Sequence, residues 1–191
     1  MLLVSSSRAG YHHGDLAQAL ENAAMQLLAE KPAQEISLRE VARAADVSHN
    51  APYHHFADRR GLLKVLAERS MADLVAEVRA ATADVDAVSA LIEGGAAYLR
   101  FAVERPNGFD VIYDPTVCIP GAPSEIMAPL IAELENLLGT ASAAAGLSGD
   151  DAFLGVWGLM HGLGTLCAAG HFPLDAALAA YDASIRRMLP L

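Results

Sequence analysis

The chain has 191 residues, of which 53% are hydrophobic and 19% are charged. This apolar content excludes an intrinsically disordered chain, because it supplies enough buried surface to offset the entropy lost on folding. Nine prolines and 15 glycines are too few for a collagen-like or low-complexity sequence. Only two cysteines are present, Cys118 and Cys167, which excludes a disulfide scaffold and a four-cysteine zinc module.

The formal net charge of −10 is distributed unevenly along the chain. Residues 1–70 contain eight Lys/Arg and eight Asp/Glu, whereas residues 71–191 contain five and fifteen. Five of the seven histidines also lie in the first part. This asymmetry predicts two units with different partners, and it removes the charge argument against a nucleic-acid partner for the first unit.

Apolar residues recur at intervals of three and four almost throughout the chain, which is the period of an amphipathic helix. We therefore predict an all-α fold of about nine helices. Ser37 followed by Glu40 has the pattern of a capping box, and Ser48 and Asp58 are expected to cap the third and fourth helices. The predicted helices span residues 15–30, 38–45, 49–56, 59–81, 84–104, 107–113, 124–145, 150–169 and 174–189.

The second and third predicted helices are short and meet at a tight turn, Asp46-Val47, which is the pattern of a helix-turn-helix. In this motif the second helix enters the major groove of DNA with polar side chains outward and apolar side chains inward. Val47, Pro52 and Phe56 are the expected inner anchors. The candidate DNA contacts lie on the second helix of the motif, at helix N-termini that attract phosphate, and at the start of the fourth helix. They are Ser37, Ser48, His49, Asn50, Ala51, Tyr53, His54, His55, Arg59, Arg60 and Lys64.

The segment Ser37–Leu63 resembles the DNA-binding segment of the tetracycline-repressor (TetR) family of bacterial regulators. The likeness is strongest at Val47-Ser48, Ala51-Pro52-Tyr53 and His55-Phe56. It extends upstream to the opening Tyr11-His12-His13-Gly14-Asp15-Leu16.

A second likeness lies far downstream, where Trp157-Gly158 and His161-Gly162 are similar to the Trp-His-Gly signature of the C-terminal domain in one branch of that family.

The sequence departs from the family pattern at two positions of the helix-turn-helix. Asp46 stands where the family usually has Gly, and it is expected to adopt the left-handed backbone of the turn, which Asp tolerates better than most residues. Asn50 stands where the branch usually has a small residue, so base preference does not carry over.

The resemblance implies a homodimeric, ligand-responsive regulator, expected to repress transcription from a near-palindromic operator in double-stranded DNA. It implies a DNA-binding domain over residues 1–60 and a helical ligand-binding and dimerisation domain over residues 61–191. The fourth helix, residues 59–81, would connect them and would tilt when a small-molecule effector binds. No cofactor is implied, and a cytoplasmic location is expected.

The effector pocket is expected among bulky residues of the fifth to eighth helices. Because these are mostly apolar, we expect a lipophilic effector. Stripes of such residues are also typical of an ordinary core, and Trp157 and His161, which share one helix face, are equally compatible with the dimer interface. The pocket candidates are Tyr98, Phe101, Phe109, Ile112, Tyr113, Met127, Leu130, Trp157 and His161.

The last two helices offer small and leucine-rich faces that two chains can bury in a four-helix bundle. Gly158 and Gly162 permit close approach of backbones, and Leu178, Tyr181 and Ile185 supply apolar contacts. The alternative is that these faces are buried within one chain.

Three other classes are less well supported by the sequence. There is no Gly-rich phosphate loop, GxSxG elbow or metal triad, so an enzyme is not expected. Residues 152–170 lack charged side chains, but they contain His161 and five glycines, which favours a buried helix over a membrane span. The adjacent pairs His12-His13 and His54-His55 point apart on a helix, so a metal site is not expected either.

Overall fold

The computed structural model describes residues 13–190, apart from the side chains of His13, Gly14 and Asp150. Tyr11 and His12 of the opening motif therefore lie outside the described residues. The described part of the chain contains nine α-helices and one 3-10 turn, Ala33–Glu35, and no strand, which confirms the all-α prediction. The helices are α1 His13–Glu30, α2 Leu38–Ala44, α3 Ala51–His55, α4 Arg59–Thr82, α5 Ala87–Glu104, α6 Pro106–Ile112, α7 Met127–Ala144, α8 Asp150–Ala168 and α9 Leu174–Met188.

Every predicted helix is present, and α3 differs in an instructive way. It begins at Ala51, so the prediction of a start at His49 with Ser48 as its cap is wrong. A helix starting at His49 would need a hydrogen bond from the nitrogen of residue 52 to the Ser48 carbonyl, and Pro52 has no N–H to donate. The Ala51 N–H bonds to the Ser48 carbonyl instead, at 2.9 Å, and closes a turn before the helix.

The start of α2 has the predicted capping box. The Ser37 hydroxyl accepts from the Glu40 N–H at 3.3 Å, and the Glu40 carboxylate accepts from the Ser37 N–H at 3.0 Å. Lys31 adds an ion pair to the same carboxylate at 2.6 Å. The hydrogen bonds from Lys31 and Ser37 lower the pKa of Glu40 from 4.5 to about 2.

This pKa predicts an acid-sensitive step in stability that Glu40→Gln should abolish. Because the folded-state pKa lies below the ordinary one, the stabilisation is complete above pH 4.5 and is lost as the pH falls towards about 2. The urea midpoint of wild type should therefore be higher than that of Glu40→Gln at neutral pH. The two midpoints should become equal in acid. Glu35→Gln, which alters an exposed acid in the 3-10 turn, is the control. A gap between wild type and Glu40→Gln that does not change with pH would contradict this account.

The helix α4 is the centre of the packing, because its buried side chains meet the N-terminal helix α1 and the later helices α5, α6 and α7. Behind it, α5 is enclosed along most of its length; Tyr98, Leu99 and Phe101 are among its fully buried side chains. The helices α8 and α9 cover the remaining side of α5. This arrangement places the helix-turn-helix at one end of a single continuous core.

A bilayer-crossing helix is not found among residues 13–190, since none of the described helices combines the necessary length with sufficient apolar character.

Candidate nucleic-acid interface and effector cavity

The turn between α2 and α3 has the geometry that a helix-turn-helix needs. Asp46 adopts φ 52°, which confirms the expected left-handed backbone at this position. The Val47 N–H returns to the Ala42 carbonyl at 3.0 Å and closes the end of α2. Pro52 and Phe56 are buried and anchor α3 against the rest of the N-terminal helices, whereas Val47 is only half-buried.

Ala51, which was a predicted DNA contact, lies on the inner face of α3. Its side chain is only 8% exposed, so it packs inward and cannot reach a groove. The error arises because Ala is compatible with either face of a helix and gives no signal of orientation.

The outer face of the motif is polar and open to solvent. Tyr53, a large aromatic residue, is 50% exposed. The tyrosine and its neighbours present hydroxyl, imidazole and amide groups, all of which hydrogen-bond to base edges or phosphates. The exposed candidates are Ser37, Ser48, His49, Asn50, Tyr53 and His54.

His55 differs from these residues because its side chain has a partner within the chain. Its Nε2 lies 3.0 Å from a carboxylate oxygen of Glu21 on α1, and its side chain is 27% exposed. The ring also packs edge-on against Phe56, with 4.5 Å between ring centroids. His55 therefore helps to hold α3 against α1, while the residue as a whole stays exposed, so its predicted contact with DNA remains a prediction.

The basic residues at the start of α4 are exposed, and Arg59 and Arg60 also form hydrogen bonds to neighbouring segments. A guanidinium N–H of Arg59 donates to the Gln34 carbonyl, and Arg60 Nε donates to the Thr116 carbonyl at 3.0 Å. Lys64 lies 3.7 Å from the Glu68 carboxylate one turn further along α4. These contacts fix the start of α4 relative to the 3-10 turn and to the loop between α6 and α7, residues 113–126 (the α6–α7 loop).

Asp114 joins the same segments from inside the protein. It is 7% exposed, accepts from Gln34 Nε2 at 2.8 Å, and accepts from the Thr116 N–H and hydroxyl at 2.8 and 2.6 Å. Burial opposes its ionisation, but the hydrogen bonds from Thr116 and Gln34 and the charge of Arg59 outweigh it, so its pKa lies below the ordinary value. We name Gln34, Arg59, Asp114 and Thr116 the polar junction.

Removing the charge of Asp114 should be costly because its side chain is buried and accepts three hydrogen bonds, whereas an asparagine would turn an NH2 group towards some of the same donors. We expect Asp114→Asn to lower the free energy of unfolding by about 1–3 kcal/mol at neutral pH, the usual cost of an unsatisfied buried polar group. The exposed Asp110→Asn in α6 is the matched control and should change it by less than about 0.5 kcal/mol. Urea denaturation of the three proteins measures both values. Equal stability of wild type and Asp114→Asn would show that the polar junction does not stabilise the fold.

The α6–α7 loop and the first half of α4 enclose an apolar cavity of about 270 Å³, which we call the loop cavity. This volume is slightly below the roughly 300–1,000 Å³ of pockets for drug-sized ligands. The buried Glu68 carboxylate, which accepts a hydrogen bond from the Ser124 hydroxyl, is one of its few polar groups. The cavity is lined by Lys64, Ala67, Glu68, Val117, Cys118, Ile119, Pro120, Gly121, Pro123, Ser124, Met127 and Ile131.

Of the nine predicted pocket residues, Met127 lines the loop cavity, and others lie elsewhere. Phe101 lines a smaller cavity beside α1, and Leu130 lies at a third site on the outer side of α4 and α7. Ile112 is 3% exposed and belongs to the core. The nine candidates therefore do not line one pocket together, and several of them belong to the core.

The remaining five form a packed aromatic cluster of Tyr98, Phe109, Tyr113, Trp157 and His161. The Tyr98 hydroxyl lies 2.6 Å from the Tyr113 hydroxyl and 2.8 Å from His161 Nδ1. Ring centroids 4.7 to 6.3 Å apart show that the rings pack against one another between α5, α6 and α8. Burial lowers the pKa of His161, which favours the neutral form of the ring.

The predicted dimer residues also divide into two groups. Gly158 and Gly162 border open space, since a Cβ on either would meet no atom within 4 Å. Tyr181 and Ile185 are fully buried within the chain, and the Tyr181 hydroxyl donates to the Leu91 carbonyl at 3.2 Å, so the prediction that they contact a second copy is wrong. Leu178 is half-buried.

Comparison with known proteins adds to this geometry. Residues 21–66 match the family "Bacterial regulatory proteins, tetR family", and residues 91–190 match "Tetracyclin repressor-like, C-terminal domain". No curated protein sequence matches the chain.

Solved structures share the fold over nearly the whole chain. A Rhodococcus sp. RHA1 protein of unknown function is 31% identical, with a TM-score of 0.77 over 96% of this chain and 100% of its own. A tetR-family transcriptional regulator from Streptomyces coelicolor is 18% identical, with a TM-score of 0.68 over 92% and 80%. The multidrug binding protein EbrR, solved in complex with imidazole, is 20% identical, with a TM-score of 0.66 over 100% and 98%.

An exposed polar helix on a helix-turn-helix, joined to a helical C-terminal part, defines a DNA-binding transcriptional regulator. With both parts of the chain matched by its family descriptions, the protein belongs to the TetR family. Its assignment to the Trp-His-Gly branch remains a prediction.

Proposed function

We propose that this TetR-family protein is a ligand-responsive repressor that binds a near-palindromic operator as a homodimer and is released by a compact lipophilic molecule. Residues 1–60 would form the DNA-binding domain, and residues 61–191 the ligand-binding and dimerisation domain. The main support is the outward polar face of α3, where Tyr53 is 50% exposed while Phe56 is 2% exposed. The proposed DNA contacts are Ser37, Ser48, His49, Asn50, Tyr53, His54, Arg59 and Lys64.

The outward face of α8 supports the dimer. Leu154 is 63% exposed and Leu166 is 40% exposed, and the open Gly158 and Gly162 lie between them at helical spacing. Aliphatic side chains flanking glycines allow a second helix to approach closely and bury the patch. The dimer contacts therefore centre on α8, with Leu178 of α9 at the side.

The loop cavity supports a lipophilic effector, and its position supports a route from the effector to the DNA-binding part. Its walls come from the first half of α4 and from the α6–α7 loop. The same loop is bonded to Arg60 through Thr116 and to Gln34 through Asp114. An effector that moves the loop would therefore displace the start of α4 and the 3-10 turn next to the helix-turn-helix. Only the difference in effector affinity between the two arrangements drives this change.

An anisotropy titration with DNA from upstream of the protein's own gene tests the proposal. We expect saturable binding of two chains per site that withstands competitor DNA. Tyr53→Ala and Asn50→Ala should each weaken binding about 5- to 150-fold, which corresponds to about 1–3 kcal/mol per base contact. Phe172→Ala is the control. It removes an aromatic side chain of similar exposure, 49%, that follows α8, and it should not change DNA binding.

Equal binding by wild type, Tyr53→Ala and Asn50→Ala would exclude the outer face of α3 as the reading surface. A complex with one chain per site would exclude the dimer. Operator binding that is insensitive to lipophilic compounds entering the loop cavity would exclude the effector step while leaving the DNA-binding step intact.

A further inference from the structure

A second, smaller cavity lies where the N-terminal helices meet the rest of the protein. Its volume is about 110 Å³, and its walls come from α1, α4, the end of α5 and the start of α6. We call it the junction cavity; Leu28, Ser70, Phe101, Asn107 and Gly108 line it. It shares no lining residue with the loop cavity, so the two are separate sites.

The junction cavity contains an unpaired polar group. Ser70 is 1% exposed, and its hydroxyl has no hydrogen-bond partner within residues 13–190. Buried hydroxyls nearly always find a partner, because leaving one unpaired destabilises the folded state. Gly108 preserves the space next to this hydroxyl, since a Cβ there would lie only 3.3 Å from Ser70 Oγ. The missing partner of Ser70 is therefore expected inside the cavity.

The rest of the lining restricts what that partner is. The floor is apolar, because Leu28 is 3% and Phe101 is 1% exposed. The mouth is acidic: Glu104 lies there, and Arg105 is already paired with Asp73 at 3.6 Å and with Glu77 at 2.5 Å. Such a mouth repels carboxylates and phosphates. An apolar cavity of about 150 Å³ is known to hold benzene, which sets the upper size of the occupant.

We propose that the junction cavity binds a compact neutral molecule, no larger than benzene, whose single hydrogen-bonding group pairs with the Ser70 hydroxyl. The occupant would contact α1 on one side and α6 on the other. These two helices are already bridged by Asn107 Nδ2, which donates to the Leu28 carbonyl at 2.9 Å. An occupant therefore strengthens the present orientation of the N-terminal helices. Binding itself is independent of the proposed repressor function, whereas a change in operator affinity rests on it.

The test is a titration of the full chain with butan-1-ol, followed by amide chemical shifts in NMR. We expect saturable shifts in residues around Ser70 and Gly108. Butyrate, which has the same number of carbons and a negative charge, should cause none because of the acidic mouth. Absence of saturable shifts with butan-1-ol would overturn the proposal and leave water as the occupant.

Two serine variants show whether the hydroxyl is responsible. Ser70→Ala should weaken butan-1-ol binding about fivefold, the factor expected for one hydrogen bond. Ser142→Ala is the matched control, because Ser142 is also 1% exposed with an unpaired hydroxyl but does not line this cavity. If Ser70→Ala fails to fold, Gly108→Ala, which narrows the same space, replaces it. Equal affinity in wild type and the cavity variant would overturn the proposal.

A parallel operator titration separates this inference from the repressor function. Saturable shifts together with an absence of DNA binding would sustain the junction cavity and overturn the repressor. Operator binding without saturable chemical shifts would support the repressor function and overturn the proposed binding in the junction cavity.

Discussion

Phe56→Ala should lower the free energy of unfolding by about 3–5 kcal/mol, as expected for truncating a fully buried aromatic side chain. Phe56 is 2% exposed and follows directly on α3, which has only five residues. So short a helix is not stable by itself and depends on tertiary contacts. The variant should therefore lose both stability and specific DNA binding. Urea denaturation followed by far-UV circular dichroism, together with the operator titration, measures the two losses.

Tyr53→Ala is the matched control for Phe56→Ala, because it truncates the exposed aromatic residue of the same helix. Its free energy of unfolding should stay within about 0.5 kcal/mol of wild type. Its DNA binding should still fall, since the side chain faces outward. If both variants were equally stable, Phe56 would not be the anchor of α3.

The effect of Gly95→Ala on the free energy of unfolding should change sign when Tyr181 is replaced by Ala. In wild type, a Cβ on Gly95 would lie 2.2 Å from atoms of the buried Tyr181 side chain, so either the ring or α9 must move. We expect a loss of about 1–3 kcal/mol, typical of overpacking. In the Tyr181→Ala background the clash is absent, and the better helix propensity of Ala should gain up to about 1 kcal/mol. A double-mutant cycle by urea denaturation measures this coupling.

Gly139→Ala on α7 is the control for Gly95→Ala. A Cβ there makes only ordinary contacts, at 3.9 Å from the Phe153 ring, so the substitution should be neutral or stabilising in wild type. The same energetic effect of Gly95→Ala in both backgrounds would mean that Tyr181 does not restrict the approach of α9.

Most of the helices were predictable because apolar periodicity and, in α2 and α4, a side-chain cap are local signals. The capping box at Ser37 and Glu40, the Asp58 cap and the left-handed Asp46 are all present. These features depend on residues within three or four positions of one another, so the sequence contains all the information that determines them.

The sequence does not predict which element packs against the apolar face of a helix. The periodicity of α9 identifies Tyr181 and Ile185 as one apolar stripe, but α5 buries it rather than a second chain. The aromatic residues of the expected pocket likewise share faces, yet their rings pack against one another between the helices. Periodicity shows which side of a helix is buried and contains no information about its neighbour.

No local pattern in the sequence predicts the polar junction. Gln34 and Asp114 are 80 residues apart in the chain and 2.8 Å apart in the structure. A glutamine and an aspartate in loops are usually solvent-exposed, so each alone indicates nothing. Only the tertiary structure shows that they connect the two parts of the protein.

The brevity of α3 limits how much sequence one chain can read. Five residues rise about 7.5 Å along a helix axis, whereas successive base pairs are about 3.4 Å apart, so the backbone of α3 itself spans about two base pairs. Ser48, His49 and Asn50, which precede α3, add only a few more polar groups. A genome offers about 10⁶ or more competing sites. Two base pairs carry far too little information to single out one promoter. In the proposed dimer, the distance between the two copies of α3 would therefore add to the sequence that is recognised, because it fixes the spacing of the two half-sites. A ligand that altered this distance would weaken operator binding without changing any base contact.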